Sequence, residues 1–257
     1  MKTVTEHHFT GIIPARFAST RFPGKPLALI GSKPMIQRVY EQACKALPAV
    51  FVATDDKRIM DAVLGFGGKV IMTSPNHRSG TDRCSEAVKK IEKETGNLID
   101  IVINIQGDEP FIKPEQIRLL MSCFSDDSVE IATLIRKVEE GEDLFNPNEP
   151  KVVISSSGDA LYFSRATIPY FRETDESEWS YKHSYYKHPG IYAYKKATLK
   201  KITALRRSSL EITESLEQNR WIENSYKIRT AITDWDSIGI DIPEDLERAK
   251  ELLEDFE

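Results

Sequence analysis

Between Gly11 and Ile105 four short apolar runs alternate with stretches of helical period, and few folds are open to a chain patterned in that way. The runs are Gly11–Pro14, Val50–Ala53, Lys69–Met72 and Ile101–Ile105. Strands that read as continuous apolar runs are buried on both faces, and strands joined through a helix pair in parallel. The pattern therefore predicts βαβ units on a largely parallel, Rossmann-like sheet within a three-layer α/β core. Pro34 suits the first turn of a helix that carries Met35, Ile36, Val39, Tyr40, Ala43 and Leu47 on one side. Asp56–Phe66 reads as a second helix stopped by Gly67-Gly68, and Thr81–Glu94 as a third ended near Gly96. Sheets of this kind bind ligands beyond the carboxyl ends of their strands. Three polar segments fall there: the loop that starts at Pro14, the pair Thr54-Asp55, and Gln106-Gly107-Asp108.

The loop Pro14-Ala15-Arg16-Phe17-Ala18-Ser19-Thr20-Arg21-Phe22-Pro23-Gly24-Lys25 places three cations just after the first strand. Pro14 ends the strand, Ser19 and Thr20 offer hydroxyls, and Gly24 frees the backbone for a close approach. Arg16, Arg21 and Lys25 suit several phosphate oxygens at once, the guanidinium forks by bidentate contacts and the ammonium as a point charge. Neither a P-loop nor a dinucleotide glycine fingerprint is present, so a solvated basic turn stands as the other reading. The chain has 257 residues and a formal net charge of -5, which excludes the broad basic field of sequence-independent nucleic-acid binding. Those loop cations are for something small. No apolar run approaches the roughly 20 residues of a membrane span and no signal peptide precedes the fold, which predicts a cytoplasmic protein. Cys44, Cys84 and Cys123 are widely spaced and lack a C-x-x-C, which argues against disulfides and structural zinc.

The second half changes character. Val129–Arg136, Val152–Ser155, Leu161–Phe163 and Gly190–Tyr194 read as strands of a small antiparallel extension to an otherwise mixed sheet. The segment 170–188 interleaves Phe171, Trp179, Tyr181, Tyr185 and Tyr186 with charges, which suits a lid or a subunit interface. Helical patterning returns over Leu210–Ile222 and from Glu244 onward, with a short strand Lys227–Ala231 between. The organisation expected is one domain over 1–257 with an inserted lobe at about 129–195.

Two carboxylates stand out. Asp108 emerges at the carboxyl end of a buried strand, where it serves either a hard cation or a simple turn. Asp241, in Gly239-Ile240-Asp241-Ile242-Pro243, serves either as a second ligand or as a helix cap. The nearby Asp234-Trp235-Asp236 matches a D-x-D, the metal motif of many glycosyltransferases, but follows no long apolar strand. His77-Arg78-Ser79-Gly80-Thr81-Asp82-Arg83 contains hydroxyls fit to cap the third helix, at Ser79 or Thr81.

Taken together, Pro14 to Leu27, His77 to Arg83, Asn104-Ile105-Gln106-Gly107-Asp108-Glu109-Pro110, Phe163-Ser164-Arg165-Ala166-Thr167-Ile168-Pro169 and Asp241-Ile242-Pro243-Glu244-Asp245-Leu246 resemble the blocks of the 3-deoxy-manno-octulosonate (KDO) cytidylyltransferase family, in the family's order. The resemblance implies a nucleotidyltransferase-type fold and the transfer of CMP from CTP to an acidic eight-carbon sugar, with release of pyrophosphate, for lipopolysaccharide biosynthesis. It implies Mg2+ held by Asp108 and Asp241, with Arg16, Arg21 and Lys25 as the other catalytic groups. Nucleotide contacts are implied for Pro14, Ala15, Arg16, Ser19, Thr20, Arg21, Lys25, Thr54, Asp55, Arg78, Ser79, Gly80 and Gln106. Sugar contacts are implied for Gln106, Arg165, His188, Tyr192, Glu211 and Gln218, and a homodimer is expected. The chain departs from the family's pattern at Asp82, where Glu is common, and at Pro189, where a non-proline apolar residue is common. A relative that uses a modified sugar such as 8-amino-KDO, a metal-dependent glycosyltransferase, and a nucleotide-binding domain without turnover are the alternatives.

Overall fold

The computed structural model describes residues 7–18, 21–236 and 238–254. In chain order the elements are β1 (Phe9–Ala15), the short pair β2 (Leu29–Ile30) and β3 (Lys33–Pro34), α1 (Met35–Cys44), β4 (Val50–Thr54) and α2 (Lys57–Gly65). There follow β5 (Val70–Met72), α3 (Gly80–Thr95), β6 (Ile101–Asn104), α4 (Pro114–Ser122), β7 (Ile131–Lys137), β8 (Lys151–Ile154) and β9 (Ala160–Ser164). The remainder is α5 (Trp179–Lys182), β10 (Tyr186–Lys187), β11 (Tyr192–Lys195), α6 (Lys196–Ile202), α7 (Ser209–Glu214), α8 (Glu217–Glu223), β12 (Arg229–Ile232) and α9 (Asp245–Glu254). The mixed α/β class expected from the sequence is the one found. The chain forms two compact units, Met1–Arg118 with Ala193–Thr203 and Ser237–Glu257, and Leu119–Tyr192 with Ala204–Asp236.

In the first unit β5, β4, β1 and β6 lie side by side and pair in parallel, with Gly11 opposite Val50 on one side and Ile103 on the other. Every residue of β4 and β6 is buried, as parallel strands covered on both faces require. Local chemistry sets the helix ends. Asp56 accepts from the Arg58 N–H at the start of α2, and Ser79 from the Asp82 N–H at the start of α3. Between the two hydroxyls offered by the sequence, Ser79 is therefore the cap. Gly96, at φ +71°, ends α3 in the left-handed conformation that glycine adopts without penalty. Pro34 stands just outside α1 in an extended conformation instead of inside its first turn. α9 closes over Ile30, Met35, Phe111 and Ile240 in an apolar cluster that also takes in Phe22.

In the second unit β7, β10, β8 and β9 form the antiparallel run expected, while β12 joins β7 in parallel. Two readings of the sequence change here. Leu210–Ile222 is not one helix: Ser215, at φ +53°, breaks it into α7 and α8. The aromatic segment also supplies its own core, because Trp179 and Tyr185 are buried with Val138, Leu144 and Phe171. Only Tyr170 and Tyr181 of that stretch are large exposed rings.

Candidate active site

The first unit holds a cavity of about 320 Å3 at the carboxyl ends of β1 and β6. It is lined by Pro14, Ala15, Arg16, Arg21, Lys25, Arg78, Ser79, Gly80, Gln106, Asp108 and Asp241, so most of the expected nucleotide residues meet in one place. Thr54 and Asp55 stand behind that lining. Thr54 is fully buried and takes the Asp56 N–H on its hydroxyl, and Asp55 pairs with Arg83 at 3.2 Å. Ser19 and Thr20 lie outside the described residues.

Backbone packing builds the floor. A Cβ on Gly107 would come to 3.0 Å from the Pro14 carbonyl oxygen, and one on Gly80 to 3.0 Å from Pro14 Cγ, so glycine lets these loops close on the end of β1 without pushing Pro14 aside. Gly24, at φ +75°, makes the turn that starts the short helix Lys25–Leu27. Apolar anchors bring the charged groups together. Phe22 beside Arg21, and Ile240 beside Asp241, pack in the same cluster, and burial of a residue such as Ile240 contributes about 2 kcal/mol. A hydrogen bond of 2.9 Å from the Ile240 N–H to the Asp108 carbonyl then ties the two carboxylate segments.

Asp241 is not a helix cap. Its carboxylate receives Arg21 Nη1 at 3.0 Å and Nη2 at 3.1 Å, and Lys25 Nζ at 3.3 Å. The residue that satisfies backbone donors before α9 is Asp245, which accepts from the Asp241 and Ile242 N–H groups. Lys25 Nζ also lies 2.7 Å from Asp108 Oδ2, so the two acids converge on one ammonium. Two carboxylates that share a cation suit a hard divalent ion, which in nucleotide enzymes takes one or two protein carboxylates and completes its shell with phosphates and water. Among the described residues no group of three or more His, Cys, Asp or Glu forms a fuller set. The cavity lining carries five cations, Arg16, Arg21, Lys25, Arg78 and Arg83, against two carboxylates.

Two residues to which the sequence reading gave no role of their own, Arg83 and Glu86, support this wall. Arg83 is buried and reaches Thr73 Oγ1 at 2.6 Å besides Asp55. Glu86 accepts from the His77 ring, the Ser74 N–H and Lys90. Burial opposes its charge, but these donors outweigh it and bring its pKa down to about 2. Glu86 and His77 are nine positions apart on different elements, so spacing carries no sign of the pair.

Of the expected sugar residues Gln106 lines the cavity of the first unit, and the others lie in the second unit. Arg165 is held by two backbone carbonyls, Glu214 O at 2.8 Å from Nε and Pro147 O at 2.9 Å from Nη1. The Glu214 carboxylate accepts from Ser164, Tyr162 and the Arg165 N–H, which keep it ionised below the usual carboxylate range although burial opposes this. Glu211, the acid expected to touch the sugar, completes the capping box of α7 with Ser208 and faces Arg207 at 3.2 Å and Arg220 at 3.6 Å. Its charge is used within the fold. Tyr192 is buried against Trp221 and His188, and Gln218 is buried in α8. The Asp234-Trp235-Asp236 triplet is committed elsewhere, since Asp236 lies 3.3 Å from Lys187 and 3.9 Å from Arg136. Burial works against the charge on Lys187, yet Glu142, Asp236 and Glu149 hold its pKa above the ordinary value.

A parallel sheet that ends in a cationic, carboxylate-bearing cavity defines a nucleotide-handling α/β enzyme. The Cytidylyltransferase family model matches residues 10–228, and the chain belongs to the cytidylyltransferase family, in the group of 3-deoxy-manno-octulosonate cytidylyltransferases. It is 57% identical to the 3-deoxy-manno-octulosonate cytidylyltransferase of Parabacteroides distasonis, over 95% of this chain and 98% of that one. With the enzyme of the same name from Bacteroides thetaiotaomicron it shares 56% identity, over 95% of this chain and 98% of that one. A solved structure of CMP:2-keto-3-deoxy-manno-octonic acid synthetase complexed with CTP matches at 42% identity and a TM-score of 0.87, over 96% of this chain and 98% of that one. The chain is a nucleotidyltransferase. No helix among the described residues is long and apolar enough to cross a membrane.

Proposed function

We propose that the chain transfers CMP from CTP to 3-deoxy-D-manno-octulosonate, releasing pyrophosphate, as a cytoplasmic homodimer that serves lipopolysaccharide biosynthesis. The observation that carries this reading is the five-to-two excess of cations over carboxylates around one cavity in a chain of net charge -5. Arg16 and Arg78 line that cavity, are exposed and make no ion pair among the described residues, which leaves their guanidinium forks for phosphate oxygens. Lys25, largely covered between Asp108 and Asp241, and Arg21, exposed but paired with Asp241, neutralise the charge that develops on the departing pyrophosphate. Asp108 and Asp241 would hold Mg2+, which when bound supplies charge neutralisation of the phosphates and acidifies a coordinated hydroxyl. The sugar's anomeric hydroxyl attacks the α-phosphorus in line, and positioning does most of the work. Arg165 offers the sugar carboxylate a cation whose own partners are neutral carbonyls. With CTP, Mg2+ and KDO, pyrophosphate release is expected, and it should fall sharply when a purine triphosphate replaces CTP. Equal turnover with ATP, or turnover of a nucleotide sugar without pyrophosphate, would sink the reading. Sedimentation at two protein concentrations tests the dimer, against which a concentration-independent monomer mass would count.

A further inference from the structure

We infer that Thr133 is a positioning residue for the acidic-sugar site: its hydroxyl fixes His188 as the Nε2–H tautomer and thereby presents Nδ1 as a hydrogen-bond acceptor for a sugar hydroxyl. The inference rests on the proposed KDO transfer and on the sugar contact that the resemblance implies for His188, and adds the direction of the hydrogen bond.

Thr133 lies on β7 and is fully buried. Its Oγ1 stands 2.6 Å from the Ile191 carbonyl oxygen and 2.9 Å from His188 Nε2. A hydroxyl has one proton and a carbonyl can only accept, so that proton goes to Ile191. Were it turned to His188 instead, two oxygen acceptors would face each other at 2.6 Å with nothing between them. The hydroxyl oxygen must then accept from the ring, and Nε2 carries the proton. A neutral imidazole has only one, which leaves Nδ1 bare.

The ring is held neutral and in place. Desolvation pushes the pKa of His188 down to about 3, far below any working pH. Phe163 meets it edge-on at 4.9 Å and Tyr192 at 5.1 Å, while the His188 backbone N–H is bound to Pro150 O. Among the described residues Nδ1 has no hydrogen-bond partner, although the residue keeps partial exposure. A bare imidazole nitrogen takes a metal ion or a hydrogen-bond donor, and since no group of three or more His, Cys, Asp or Glu among the described residues could hold a metal, an O–H or N–H donor is the ligand that suits it. A polyhydroxy acid has donors in its hydroxyls and none in its carboxylate, so His188 reads the hydroxyl part of the sugar.

The test uses the full chain with 15N-labelled histidine, followed by long-range 1H–15N NMR without substrate. His188 should be protonated at Nε2 in the wild-type protein and in Thr133→Ser, and should lose that preference in Thr133→Val. In pyrophosphate-release assays Thr133→Val should raise the KM for KDO about fivefold to tenfold, the size of one misdirected hydrogen bond, with the KM for CTP within about twofold of wild type. Thr133→Ser, which keeps the hydroxyl, should restore the sugar KM. A proton on Nδ1 in the wild type overturns the inference, as does an unchanged sugar KM in Thr133→Val or an equal rise in both KM values. If the wild type made no pyrophosphate with KDO, the functional reading would fall instead, and the tautomer would still be read from the spectrum.

Discussion

Asp241 is a residue for which one sequence supports two accounts, and the partners of its carboxylate choose between them. Because Arg21 and Lys25 hold it, and Asp245 satisfies the backbone donors before α9, charge is what the position supplies. Asp108→Asn and Asp241→Asn should each remove most turnover while the protein stays folded, and the double variant should be little worse than either, as for groups that act as one unit. Asp236→Asn should leave turnover intact and cost about 1 kcal/mol of stability, since the carboxylate itself is half-exposed and its covered partners Lys187 and Arg136 keep Glu142. Pyrophosphate kinetics beside thermal melts would tell these apart, and an inactive Asp236→Asn would revive the glycosyltransferase alternative. The loop cations Arg16, Arg21 and Lys25 and the position of Asp108 were legible because they follow apolar strands, where a parallel sheet exposes its loops, whereas Arg78 and Asp241 were read from the family's blocks. Glu214, Glu86 and Thr133 were not, because their partners come from distant parts of the chain and a lone Glu or Thr looks like any surface or strand residue.

Among the elements, α7 and α8 show where periodicity misleads. The apolar pattern runs unbroken from Leu210 to Ile222, and the stop is a single non-glycine residue, Ser215, in a left-handed conformation. Serine there costs roughly 1 kcal/mol of backbone strain, offset by the turn that sets Glu214 beside Arg165. Ser215→Gly should therefore be neutral or slightly stabilising in urea titrations, whereas Ser215→Val should lose about 1–2 kcal/mol. Glu211→Ala should lose about 1 kcal/mol with the capping box and leave the sugar KM unchanged. A large rise in that KM with no loss of stability would return Glu211 to the sugar site. The parallel strands were readable from composition alone, since full burial demands apolar runs; β12 beside β7 was not, because nothing local in Lys227–Ala231 names its partner.

For the whole molecule, a net charge of -5 around a cationic cavity draws a polyanion to one place and repels it elsewhere. The KM for CTP should rise with added salt as screening shortens the reach of that field to about 8 Å near physiological ionic strength. A salt-independent KM would show that contact alone decides binding. Stability should fall on acidification in two stages. His188 has its pKa lowered from 6.5 to about 3, so between those values the unfolded chain binds a proton that the folded one refuses. Glu86, lowered from 4.5 to about 2, adds a loss of the same sign as pH drops through that range. His188→Gln should flatten the melting temperature between pH 7 and 5, and parallel curves for variant and wild type would refute the assignment. The pinning of Gly80 and Gly107 against Pro14 has a consequence for how this cavity can change over generations or in a laboratory library. At those two positions a Cβ would meet Pro14 at 3.0 Å, tighter than ordinary packing, so any side chain there pushes against the end of β1; a new substrate preference is reached with less disturbance at exposed, replaceable residues such as Arg16 and Arg78, and libraries that vary the glycines would be spent mostly on proteins whose pocket floor has to shift.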